Sequence, residues 1–144
     1  MLKLPEGFKT YSLYSRTKYV NRNDIGIIFS EKPCDYAGVF TTNKVYAAPV
    51  KDCKDKLGKQ ISVVVVNAGN ANACTGDQGL KNTQAITKKA ESLFQLKESK
   101  ALSLSTGVVG VQLPIEKLLQ TLENKDKGMQ EPIEFAKAIM TTDT

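Results

Sequence analysis

Ile61-Ser-Val-Val-Val-Val66 runs directly into Asn67-Ala-Gly-Asn-Ala-Asn-Ala-Cys-Thr-Gly76, and the reading of this stretch decides the fold. The unbroken β-branched run predicts a strand buried on both faces. The following decapeptide holds three Asn, two Gly and three Ala, a composition that makes neither core nor stable helix. It predicts a tight loop. From Asp77 onward Leu80, Ile86, Ala90, Leu93 and Phe94 recur on one helical face, while Lys81, Lys88, Lys89 and Glu91 take much of the rest. Strand, polar loop and helix follow one another, and a loop at the carboxyl end of a buried strand is where α/β proteins gather their sites.

Upstream, the first sixty residues read as β-rich. Asp24-Ile-Gly-Ile-Ile-Phe-Ser30 predicts a strand, Ala37-Gly-Val-Phe-Thr-Thr42 another, and residues 10–20 a weaker one. Val45 to Val50 reads as extended, with Pro49 at a strand end or edge. Lys51 to Gln60 is a short helix or a loop, stopped at Leu57-Gly58. Downstream, Leu102-Ser-Leu-Ser105 predicts a short strand and Thr106-Gly-Val-Val-Gly110 the loop leaving it. Pro114 opens a helix through Leu118, Leu119 and Leu122. Asn124 to Gly128 is a polar linker, and Pro132 opens a last helix with Ile133, Phe135, Ala136 and Ile139. The order predicts a layered α/β architecture of sheet and helices, one domain over residues 1–144. The chain stops at Met140-Thr-Thr-Asp-Thr144, directly after a helix, and reads as cut rather than finished.

Composition narrows the function classes. There is no run of 18 apolar residues, so no membrane span is expected. The N-terminus shows neither a secretory h-region nor a transit-peptide pattern, which points to the cytoplasm. The net charge is +5, but the only arginines are Arg16 and Arg22, and the lysines are scattered among acids. Base readout and phosphate clamps favour Arg, so a solvated lysine surface is expected and nucleic acid is not. Cys34, Cys53 and Cys74 form no C-x-x-C and are read as reduced thiols, not a metal set. Histidine is absent, which excludes a Ser-His-Asp or Cys-His unit built from this chain.

Three stretches hold chemistry. The 67–76 loop is either a phosphate cradle or a tight connection whose Asn side chains cap backbone groups; its glycines at 69, 76 and 79 do not make G-x-G-x-x-G. Ser105-Thr106-Gly107 places a hydroxyl and a glycine amide together, a pair that suits an oxyanion hole or a plain turn. Thr141-Thr-Asp-Thr144 is a substrate-binding cluster or a helix end.

Asn67 to Gly76 is similar to the Asn-Ser-Gly-Asn-Ala-Asn-Ala-Cys-Thr-Gly signature of the ornithine acetyltransferase (ArgJ) family, with Ala68 for the usual Ser. Ala37 to Val45 with Ala48-Pro-Val50, Ser105 to Gly110, and Ala138 to Thr144 resemble further blocks of that family in the same order. The resemblance implies the ArgJ/DmpA-like self-processing, N-terminal-nucleophile-like fold. It implies a precursor that cuts itself into α and β chains. The new N-terminal Thr of the β chain carries acetyl from N-acetylornithine to glutamate, with acetyl-CoA a further donor in some members. An N-terminal Thr uses its own amine as base, which agrees with the lack of histidine. By resemblance Thr106 (Oγ) and Gly107 (amide) form the oxyanion hole, and Thr141 binds substrate. No cofactor and no metal are implied. The nucleophile lies beyond Thr144, so the chain resembles most of an α chain and is expected to be inactive alone, acting with its β chain in an (αβ)2 heterotetramer. A self-processing amidase or aminopeptidase, and a non-catalytic α/β module binding a nucleotide at the Asn-rich loop, are the alternatives.

Overall fold

The valine run lies at the heart of β3 (Gln60–Asn70), flanked in the sheet by β2 (Ile25–Asp35) and β4 (Ala101–Val108), with β1 (Phe8–Leu13) outside β2. The computed structural model describes residues 2–141. β1, β2 and β3 are antiparallel neighbours, whereas β4 runs parallel to β3. A parallel partner needs a crossover, and α2 (Gly76–Leu93) supplies it. The remaining helices are α1 (Ala48–Asp55), α3 (Ile115–Leu122) and α4 (Pro132–Ile139), with a 3₁₀ turn at Lys125–Gly128.

β3 is buried on both faces, as its composition predicts. One face carries Val63 and Val65, joined by Tyr11, Leu13, Ile25, Ile27 and Ala101 from the other strands. Ile86 and Ala90 of α2 and Leu118 and Leu122 of α3 close over them. Phe94 stacks on Phe29 at 4.5 Å and meets Tyr11 edge-on at 5.5 Å, sealing one end. Both Ser62 and Val63 donate to the Lys100 carbonyl, a bulge that changes which face the residues before it present. Ile61 accordingly packs with Leu102 and Cys53 of α1 on the opposite side. On that side α4 lies over Gly26, where a Cβ would come within 2.8 Å of Phe135 and Ile139. The result is a layered α/β fold.

Two expected extended segments are not strands. Residues 36–47 are irregular and mostly exposed. Thr41 Oγ1 accepts from Asn43 N, and Asn43 Oδ1 accepts from Val45 N, so side chains take the amides a ladder would use. Pro49 starts α1 rather than ending a strand, since its fixed φ and missing N–H suit a first helical turn. Elsewhere the ladder reaches further than expected. β3 continues through Asn70 and β4 through Val108, so Thr106 and Gly107 lie within a strand, not in the loop after it.

Candidate active site at the carboxyl end of the sheet

The Asn-rich segment spends its polarity internally. Asn67, buried at the end of β3, accepts from Ser105 Oγ at 2.6 Å and donates to the Asn70 carbonyl at 3.0 Å. Asn70 Nδ2 donates to the Val111 and Gln112 carbonyls, and its Oδ1 accepts from Asn72 N. Asn72 is fully buried, donates to Gly79 O and Thr83 Oγ1, and accepts from Thr75 Oγ1. Ala71 N bonds Val108 O, Gly110 N bonds Ala73 O, and Gln112 Nε2 bonds Thr75 O. The capping reading of the loop is therefore the observed one. A phosphate cradle needs free amides, and those of Ala71 and Asn72 are taken. Cys74 is exposed, with its backbone at φ +56°.

These bonds lace the loop to the segment that carries Thr106 and Gly107. In the parallel register Ala68 faces Thr106 and Gly69 faces Gly107. Both glycines sit at positive φ, +113° at Gly69 and +132° at Gly107. A Cβ at Gly107 would come to 2.6 Å from Asn70 N and closer still to the Gly69 carbonyl carbon. Only glycine fits there. Thr106 is half-buried. Its hydroxyl has no hydrogen-bond partner among the described residues, whereas that of Ser105 is committed to Asn67.

Thr106 lines a cleft of about 400 Å³ between β4, α1 and the 39–41 segment, with Phe40, Cys53, Val66 and Leu104 among its walls. Burial, and after it the neighbouring Asp52 carboxylate, pushes the Cys53 thiol up from its ordinary value. A thiol held neutral by packing is wall, not nucleophile. Among the described residues no group of three His, Cys, Asp or Glu is placed to hold a metal ion.

Thr141 follows α4, which packs against β2. Val66, in the cleft wall, is paired with Gly26, and Gly26 lies beneath Phe135 and Ile139 of α4. Arg22 then holds the helix end, donating to the carbonyls of Lys137 and Met140 while its guanidinium lies 4.4 Å from the centre of the Tyr19 ring. Lys18 and Tyr19 in turn cover Gly69. Thr106 and Gly107 are adjacent on β4, and Thr141 follows the end of α4. Thr142, Asp143 and Thr144 lie outside the described residues. The pairing of Gly69 with Gly107 and the Asn67–Ser105 bond escaped sequence reading, because both span some forty positions and depend on strand register. The only local sign of them was a glycine near each strand end.

The ArgJ family model matches residues 9–144. The chain is 47% identical over 145 residues to the arginine biosynthesis bifunctional protein ArgJ of Thermotoga neapolitana, covering 98% of this chain and 36% of that protein. It is 38% identical over 150 residues to the ArgJ protein of Caldanaerobacter subterraneus, covering 99% and 36%. The chain thus spans about a third of the length of the curated relatives it matches. Among solved structures it superposes on an ArgJ protein of Bacillus halodurans with a TM-score of 0.88 at 33% identity, over 96% of this chain and 74% of that one. An ornithine acetyltransferase of Mycobacterium tuberculosis, solved in complex with ornithine, matches with a TM-score of 0.87 at 33% identity, over 96% and 78%. Sequence blocks, sheet topology and superposition agree, and the chain belongs to the ArgJ family.

Proposed function

We propose that this chain forms one part of a glutamate N-acetyltransferase that moves acetyl from N-acetylornithine to glutamate in arginine biosynthesis. The supporting observation is the Thr106–Gly107 pair: Thr106 lines the cleft with a hydroxyl that has no hydrogen-bond partner among the described residues, and a glycine at φ +132° follows it. In this reading a threonine on the β chain attacks the acetyl carbonyl. A C–O bond forms, the C–N bond breaks, and the amine leaves as ornithine with the proton. Glutamate's amine then attacks the acetyl-threonine ester and regenerates the hydroxyl. Each attack puts negative charge on the carbonyl oxygen, where Thr106 Oγ–H and Gly107 N–H donate. Thr141, at the end of α4, contacts the substrate. The β chain supplies the nucleophile and its amine base, the pair assembles as (αβ)2, and the reaction runs in the cytoplasm without a cofactor, with acetyl-CoA a candidate second donor.

The test uses the complete protein, this chain together with the remainder found in its relatives. N-acetylornithine and glutamate are supplied, and ornithine and N-acetylglutamate are measured. Formation of both is expected. Release of free acetate with no N-acetylglutamate would instead make the protein a hydrolase. In the same protein Thr106→Ala is expected to lower kcat by about 10²–10³. An unchanged kcat removes Thr106 from the oxyanion role.

A further inference from the structure

The Asn-rich segment has no step in the proposed reaction, yet it is bonded directly to the strand that carries the oxyanion pair. We propose that Asn67 and Ser105 are positioning residues for that pair, an inference that rests on the proposed transferase reading. Ser105 immediately precedes Thr106 and faces Asn67 in the parallel register. Its hydroxyl donates to Asn67 Oδ1 at 2.6 Å, within a partly buried site. Asn67 is itself held, being 4% exposed and donating to the Asn70 carbonyl at 3.0 Å. Asn70 continues the connection to the carbonyls of Val111 and Gln112, beyond the other end of the pair. Thr106 and Gly107 therefore sit on a stretch of β4 tied down on both sides by one asparagine network. This matters because glycine at φ +132° is the most pliable point of the strand, and an oxyanion hole works only when its donors are fixed before charge develops.

The experiment is a kinetic comparison in the complete protein. Ser105→Ala is expected to lower kcat about tenfold, the scale of a small misalignment, and to leave KM for N-acetylornithine within about twofold. Ser105→Thr, which keeps the hydroxyl, is expected to restore most of the rate. In a Thr106→Ala background the Ser105→Ala penalty is expected to shrink, since one of the aligned donors is already gone. Should Ser105→Ala not fold, Ser105→Cys keeps the volume with a weaker donor and is expected to lower kcat in the same way. An unchanged kcat in the folded variant, an equal penalty in both backgrounds, or failure of the threonine rescue overturns the inference. Loss of rate in Thr106→Ala without loss in Ser105→Ala refutes the positioning role alone. No loss in Thr106→Ala refutes the oxyanion reading and the inference with it.

Discussion

Asn72 shows how much one side chain can hold in place. Its backbone is left-handed, at φ +48°, a region that asparagine tolerates better than most residues. Its carboxamide uses both donors and its oxygen, on Gly79, Thr83 and Thr75, with no exposure to water. Asn72→Ala is expected to lower unfolding free energy by about 2–4 kcal/mol, because buried partners lose their bonds and the backbone is strained. Asn72→Asp keeps the shape but turns a donor into an acceptor facing the Gly79 carbonyl, so it is expected to cost at least as much. Denaturant midpoints of the three proteins check this. A loss under about 0.5 kcal/mol for Asn72→Ala would show that the loop is held by its backbone alone.

Helix α1 is fastened to β4 by a buried ion pair rather than by apolar contact alone. Lys56, one residue past the helix, reaches Asp52 at 2.7 Å and donates to the Ala101 carbonyl at 2.8 Å, both side chains being nearly closed to solvent. Such a pair repays little net stability but is costly to halve. Lys56→Met is expected to destabilise by about 3–5 kcal/mol, leaving a buried carboxylate without its cation. Lys56→Met with Asp52→Leu is expected to recover most of that loss. Urea midpoints for the single and double variants decide it: equal loss in both contradicts the ion-pair account. Neither this fastening nor the helix start was visible in the sequence. The 37–50 stretch holds Val39, Phe40, Val45 and Val50 and reads as extended, but side-chain turns at Thr41 and Asn43 claim its amides and Pro49 opens α1. By contrast β3, α2 and α4 were legible, because a β-branched run, a helical period and a proline start are local signals. Thr106 and Gly107 were legible as a hydroxyl beside a glycine amide, and family resemblance chose the oxyanion reading over a plain turn. Their place within a strand was hidden, since a glycine ordinarily ends one and only the facing Gly69 lets β4 continue.

The two edges of the sheet are finished differently. β1 is covered: Tyr11 bridges Met129, and Gln130 exchanges bonds with Thr10. Among the described residues β4 pairs only with β3, and Leu104 and Val108 on it stay more than two-fifths exposed. No helix of the described residues is long and apolar enough to cross a membrane. The site is therefore built across the junction of an inner strand, β3, and an outer one, β4. That placement has a kinetic consequence. β4 joins β3 across the longest connection in the sheet, residues 71–100, so the outer strand is expected to complete the sheet last. The same strand should be the first to detach. Hydrogen–deuterium exchange of the 144-residue chain is expected to replace the amides of 103–108 well before those of 63–66, at a free energy below that of global unfolding. Equal protection of the two would mean that the sheet opens as one unit. Unequal protection would mean that Thr106 and Gly107 can fray out of register while the rest of the protein stays folded.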